Sequence, residues 1–115
     1  MSKISKELLI DRKVKVFKAL ANPTRLQIID SLKDGERCVC EIIPAIGKAQ
    51  STTSKHLDML YDAGILDRRM DGRRTLYRIR NPKVLDIIKA IELMVLEDVI
   101  ALVKALESLK DTKNQ

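Results

Sequence analysis

The sequence predicts a mostly α domain with one small β-hairpin, and three observations carry that reading. Apolar residues recur at helical spacing along most of the chain. An Asp71-Gly72 step separates two short β-compatible runs, a strong hairpin signal. Aromatic residues make up only 3% with no Trp, so Leu, Ile and Val must build the core. A length of 115 residues predicts a single domain, 1–115.

The elements follow in order. Residues 3–20 read as a first helix with Leu8, Leu9, Val16, Phe17 and Leu20 on its apolar side. Asn22-Pro23 ends it, because proline disfavours helix in the residue before it and suits the first turn of a new one. Residues 24–32 then predict a second helix burying Leu26, Ile28, Ile29 and Leu32, ended by Asp34-Gly35. A short apolar piece, 39–46, stops at Gly47. In residues 50–63, Thr53, Leu57 and Leu60 fall at i, i+4 and i+7, while Ser51, Ser54, Lys55, Asp58 and Asp62 take the other face. Runs 65–70 and 75–80 form the hairpin around Asp71-Gly72-Arg73-Arg74. Asn81-Pro82 opens a last helix reaching about Leu109, roughly 40 Å at the standard rise. Its apolar residues cover more than one stripe, which a domain this small cannot cover alone, so a second copy of the chain is the simplest partner.

Charge is distributed unevenly. The formal net charge is +6, but residues 1–18 carry six basic and two acidic groups and residues 67–80 six arginines against Asp67 and Asp71, +4 in each segment. Clustering of this kind points to a polyanion. The shortage of aromatics argues against a base-stacking platform for single strands. Two cysteines and one histidine are too few for a closed four-ligand zinc site within one chain or for a disulfide framework. No nucleophile–base pair or Gly-rich phosphate loop is found, so no enzyme is predicted. The N-terminus has no signal-peptide run, and charges from Asp86 to Glu107 interrupt the most apolar stretch, so the expectation is a cytoplasmic protein with no membrane partner.

Helix, helix, short helix, glycine turn, polar-faced helix and basic hairpin is the order of a winged helix-turn-helix. The segments ALANPTRLQIIDSL (19–32), RCVCEI (37–42), GKAQSTTSKHLDMLYDAGIL (47–66) and RRMDGRRTLYRI (68–79), in this order, resemble the ArsR/SmtB metalloregulatory repressors. The resemblance implies a homodimer that binds a two-fold operator on double-stranded DNA and is released by a soft metal ion or other inducer. It implies dimerisation through 3–20 and 82–109, a helix-turn-helix over 39–63 and a wing over 65–80. Ala49 stands where the family usually has a capping Ser, so the first turn of the recognition helix is expected to be capped by Ser51 or frayed.

The candidate DNA contacts are Gln50, Ser51, Thr52, Ser54, Lys55 and His56 on the recognition helix, and Arg68, Arg69, Arg73 and Arg74 on the wing. Short polar side chains let a helix sit deep in the major groove, and Gln pairs bidentately with adenine. The wing arginines suit phosphate or minor-groove contact. His56, which fits the family's Ser-Lys-His-Leu pattern, suits packing or phosphate contact.

Cys38-Val39-Cys40 is the candidate sensor, because a Cys-x-Cys pair in a reducing compartment suits a soft metal or redox chemistry. On a helix, i and i+2 diverge, so shared ligation is expected to need an unwound stretch, with the hydrogen bond broken by Pro44 weakening the helix. An i,i+2 disulfide is the strained alternative. The family's arsenic sensors often add a cysteine where this chain has Ile43, so As(III) or Sb(III) as an inducer would take a third donor from elsewhere. No cofactor is obligatory in this reading. A redox-responsive or inducer-independent regulator, and a winged-helix module for protein contacts, are the alternatives.

Overall fold

The computed structural model describes residues 5–113. In chain order it contains α1 (Lys6–Leu20), α2 (Pro23–Ser31), β1 (Arg37–Cys38), α3 (Val39–Ile46), α4 (Gln50–Asp62), β2 (Leu66–Asp71), β3 (Arg74–Ile79) and α5 (Lys83–Lys113). The chain divides into two compact units, Met1–Asn81 and Pro82–Gln115.

Local chemistry sets the boundaries in the first unit. The Ser5 side chain caps α1 by accepting from the Leu8 N–H, and the first residues of the helix expected over 3–20 lie outside the described residues. Asn22 caps α2 through the Arg25 N–H, with Pro23 at the start of the helix, where its missing donor costs nothing. Gly47 closes α3 in the left-handed conformation at φ 76°. Ala49 precedes α4 with no side-chain cap, so Ser51 does not take over that role and lies within the helix.

The core packs α2, α3 and α4 against the sheet. Ile28, Leu32, Ile42, Leu57, Leu60 and Leu66 are all at most 2% exposed. Each such burial contributes about 1.5–3 kcal/mol. In α2 the structure corrects one expectation: Leu26 is 39% exposed, and Arg25 occupies the inward position instead. Arg25, Ile28, Ile29 and Leu32 follow i, i+3, i+4 and i+7, so one helix face buries all four and Leu26 falls beside it.

The sheet is antiparallel with order β1-β3-β2. The hairpin register pairs Asp71 with Arg74, leaving Gly72 and Arg73 as a two-residue turn, and only Gly72 takes a positive φ, 62°. A glycine at the first central position suits a type II′ turn. The third strand, β1, is not apparent in the sequence. It pairs Arg37 with Tyr77 and Cys38 with Leu76, so the cysteine segment is hydrogen-bonded to the wing.

The second unit is α5, which continues to Lys113, past the end expected near Leu109. At 31 residues it is about 46 Å long. Ile87, Ile91, Val95, Val99, Leu102 and Leu106 are between 43% and 60% exposed. In the first unit Leu8, Leu9 and Phe17 on α1 are likewise more than half exposed.

Candidate nucleic-acid interface

Helix α4 is anchored on one face and free on the other. Thr53, Leu57 and Leu60 are at most 1% exposed, and the Thr53 hydroxyl donates to the Ala49 carbonyl at 3.1 Å. Gln50, Ser51, Thr52 and Lys55 are exposed, and Ser54 and His56 are partly so. The predicted contact residues of the recognition helix therefore share the outward side of its first half. The N-terminal amides of α4 add an end that favours phosphate.

The wing arginines divide into braced and uncommitted groups. Arg68 donates to Asp58 of α4 at 3.1 Å and stacks 3.8 Å from the Tyr61 ring centroid. Tyr77, followed by Tyr61 and Asp58, pushes its pKa up and keeps it charged. Arg69 grips Glu36 with two bonds, 2.9 and 2.7 Å, and this pairing holds the Glu36 carboxyl below its ordinary range. Arg74 pairs with Asp71 across the turn at 3.0 Å, and Arg78 and Arg80 share Asp67. Among the described residues, Arg73 at the tip has no ion-pair partner. The four predicted wing arginines thus differ in surroundings: Arg68 ties the wing to α4, Arg69 ties it to the residue before β1, Arg74 pairs within the turn, and Arg73 stands without an ion pair among the described residues.

Cys38 and Cys40 are brought together without any unwinding of α3. Cys38 lies at the N-cap in extended conformation (φ −69°, ψ 145°), outside the regular helix, so its side chain turns toward the first helical turn. Its sulfur accepts from the Cys40 N–H at 3.0 Å, Glu41 accepts from the Cys38 N–H at 3.2 Å, and the two cysteines are paired as a disulfide with Cα atoms 5.1 Å apart. For the two sulfurs to pair, one non-helical residue, the cap, is enough. Cys38 is buried at 2% and Cys40 is exposed. Both line a groove of about 420 Å³ with Gln50, Ser54 and Asp58 of α4 and Arg73, Arg74 and Thr75 of the wing. The cysteines therefore open onto the same cleft as the candidate DNA contacts.

Two functional positions escaped the sequence reading. Glu36 braces the wing but reads as a loop residue. Arg25 makes the buried contacts of a helix clamp but looks like an ordinary surface arginine. Its heptad-like spacing with Ile28 and Leu32 is the signal that could have revealed it.

The comparisons with known proteins agree with this geometry. The model of the bacterial regulatory protein, arsR family, matches residues 22–68. An uncharacterised HTH-type transcriptional regulator of Methanocaldococcus jannaschii is 40% identical over 83 residues, which cover 71% of this chain and 93% of that one. The chain belongs to the ArsR family. Its family is one of helix-turn-helix transcriptional regulators, not enzymes. A probable mercury resistance operon repressor of Streptomyces lividans is 36% identical over 78 residues, covering 68% of this chain and 62% of the relative. A solved homodimeric winged helix-turn-helix DNA-binding domain from Mycobacterium bovis, a possible ArsR-family regulator, has a TM-score of 0.74 and 36% identity, covering 86% of this chain and 94% of that one. Among the described residues of this ArsR-family chain, no helix is long and apolar enough to cross a membrane.

Proposed function

We propose that this ArsR-family protein is a homodimeric repressor that binds a two-fold DNA operator through α4 and the wing and is released by a thiol-reactive inducer at Cys38 and Cys40. The observation that carries the reading is the shared groove, in which the cysteines face Gln50, Ser54, Arg73 and Arg74. Whatever occupies the sulfurs lies between the recognition helix and the wing tip. It also sits on β1, which is paired to the wing strand β3. The exposed apolar residues of α1 and of α5 support assembly with a second copy, as in the homodimeric Mycobacterium bovis domain.

The donor set fits a soft ion. In the dithiol form, Cys38 and Cys40 would hold it, and thiolates select thiophilic metals. The mercury-related name of the Streptomyces lividans relative supports that class. As(III) or Sb(III) is the inducer we favour. Among the described residues no group of three His, Cys, Asp or Glu converges, so a three-coordinate ion takes its third donor from solvent or a small thiol in the groove. A second reading, a dithiol–disulfide switch, is supported by the pairing of the two sulfurs. There, peroxide takes two electrons and two protons from the thiols, forming the disulfide and water.

Selection of duplexes from a random pool tests the DNA part. The expected product is an inverted repeat with half-sites about one helical turn apart, bound with a steep inverse dependence on salt. A module for protein contacts would enrich no sequence. Titrating the bound duplex with arsenite, antimonite, Hg(II), Cd(II), zinc and peroxide then separates the metal and redox readings, since a phosphine reductant re-forms the dithiol from the disulfide but carries no thiol to strip bound As(III) or Sb(III).

A further inference from the structure

Arg25 lies in the first turn of α2 and is 8% exposed. Its Nε donates to the Ala19 carbonyl at 2.6 Å and its Nη2 to the Lys18 carbonyl at 3.1 Å. These are carbonyls of the last turn of α1, which lack partners within the helix, and a cation at that end is favourable. The remaining nitrogen, Nη1, reaches across to α4, 3.1 Å from His56 Nδ1 and 3.4 Å from the Met59 sulfur. One buried guanidinium therefore ties the recognition helix to the end of α1.

The contact also decides the chemistry of His56. A guanidinium donates and never accepts, so Nδ1 must be the acceptor and carry no proton. The neutral ring then keeps its hydrogen on Nε2, across the ring from Arg25. His56 is partly exposed, and no described residue bonds to Nε2. His56 also follows Thr52 by four residues, one turn along the same side of the helix that carries the candidate DNA contacts.

We infer that Arg25 is a positioning residue for DNA binding, holding His56 in the Nε2–H tautomer so that this N–H donates to a phosphate of the DNA backbone. The inference rests on the reading that α4 enters DNA. It assigns the sole histidine a neutral, directional contact rather than a cationic one. Burial, and then the charges of Arg25 on α2 and Lys48 ahead of α4, oppose a charged ring and pull its pKa below the ordinary 6.5. Arg25 thereby couples the orientation of α1 to the donor that α4 presents.

The test is nitrogen-15 NMR of the labelled protein, free and bound to a duplex from the selection, where a single histidine makes the ring signals unambiguous. Near pH 7.5 the free protein should show the Nε2–H tautomer, and the Nε2 proton should shift on DNA binding. Arg25→Lys, which still only donates, should retain the tautomer, whereas Arg25→Met should mix the tautomers and lower DNA affinity about threefold to tenfold. If Arg25→Met fails to fold, as a thermal melt would show, the His56 variants still decide. His56→Gln, whose amide can stand in for Nε2–H, should bind within about twofold of the original, and His56→Phe should lose about threefold to tenfold. An Nδ1–H tautomer in the free protein overturns the inference, as does unchanged affinity in His56→Phe. An Nε2–H tautomer in a protein that binds no duplex would instead overturn the DNA-binding reading on which the phosphate contact depends.

Discussion

Arg73 has no carboxylate to hold it among the described residues, whereas Arg68, Arg69 and Arg74 are held by Asp58, Glu36 and Asp71. A braced guanidinium must break an ion pair before it can bind phosphate, and a free one need not. Arg73→Ala is therefore expected to weaken binding to all duplexes about equally and to lower the salt slope by about one, read by fluorescence anisotropy. Arg69→Ala should change the slope less, because Arg69 already pairs with Glu36. His56 predicts a pH effect. Burial, then Arg25 and Lys48, lower its folded pKa from 6.5, so between the two values the unfolded chain binds the extra proton. The stabilisation from neutral His56 is present above pH 6.5 and is lost as pH falls through the lowered folded value. Calorimetry should show the melting temperature dropping below pH 6.5, with that part of the drop flattened in His56→Gln.

Among the elements, α4 was the most legible in sequence, because burial of Thr53, Leu57 and Leu60 follows directly from their spacing. The hairpin was legible for a similar reason, since Gly72 between two β-compatible runs permits the positive φ that its turn requires. Less legible was β1, a two-residue strand that exists only through its pairing with β3, a tertiary fact without a local signature. The convergence of Cys38 and Cys40 was hidden because it depends on where α3 starts. A shift of one residue would make Cys38 helical and turn the sulfurs apart. Two changes test the element-level account by thermal or denaturant unfolding. Ala49→Ser supplies the side-chain cap that α4 lacks and should stabilise by about 0.5–1 kcal/mol. Leu57→Ala empties a fully buried site between α4 and the sheet and should destabilise by about 2–5 kcal/mol.

For the whole molecule, the proposed function ties DNA binding to assembly through the exposed apolar residues of α1 and of α5, because a two-fold operator needs two recognition helices at fixed spacing. Ile91→Asp with Val95→Asp places two charges on one face of α5 and should yield monomers by light scattering, with operator affinity falling by a factor of at least about one hundred. The positive segments of the chain also resolve differently at this scale. Within residues 67–80 five of the six arginines sit in ion pairs, and on the proposed function Arg73 is the one that meets the polyanion without first breaking a pair.

The most direct measurement follows the bound operator duplex during an arsenite titration in reducing buffer, comparing the original protein with the Cys38→Ser, Cys40→Ser double variant. Both should bind the duplex with similar affinity, and only the original should release it. Release of the double variant at the same arsenite concentration would contradict the assignment of the Cys38–Cys40 groove as the sensor.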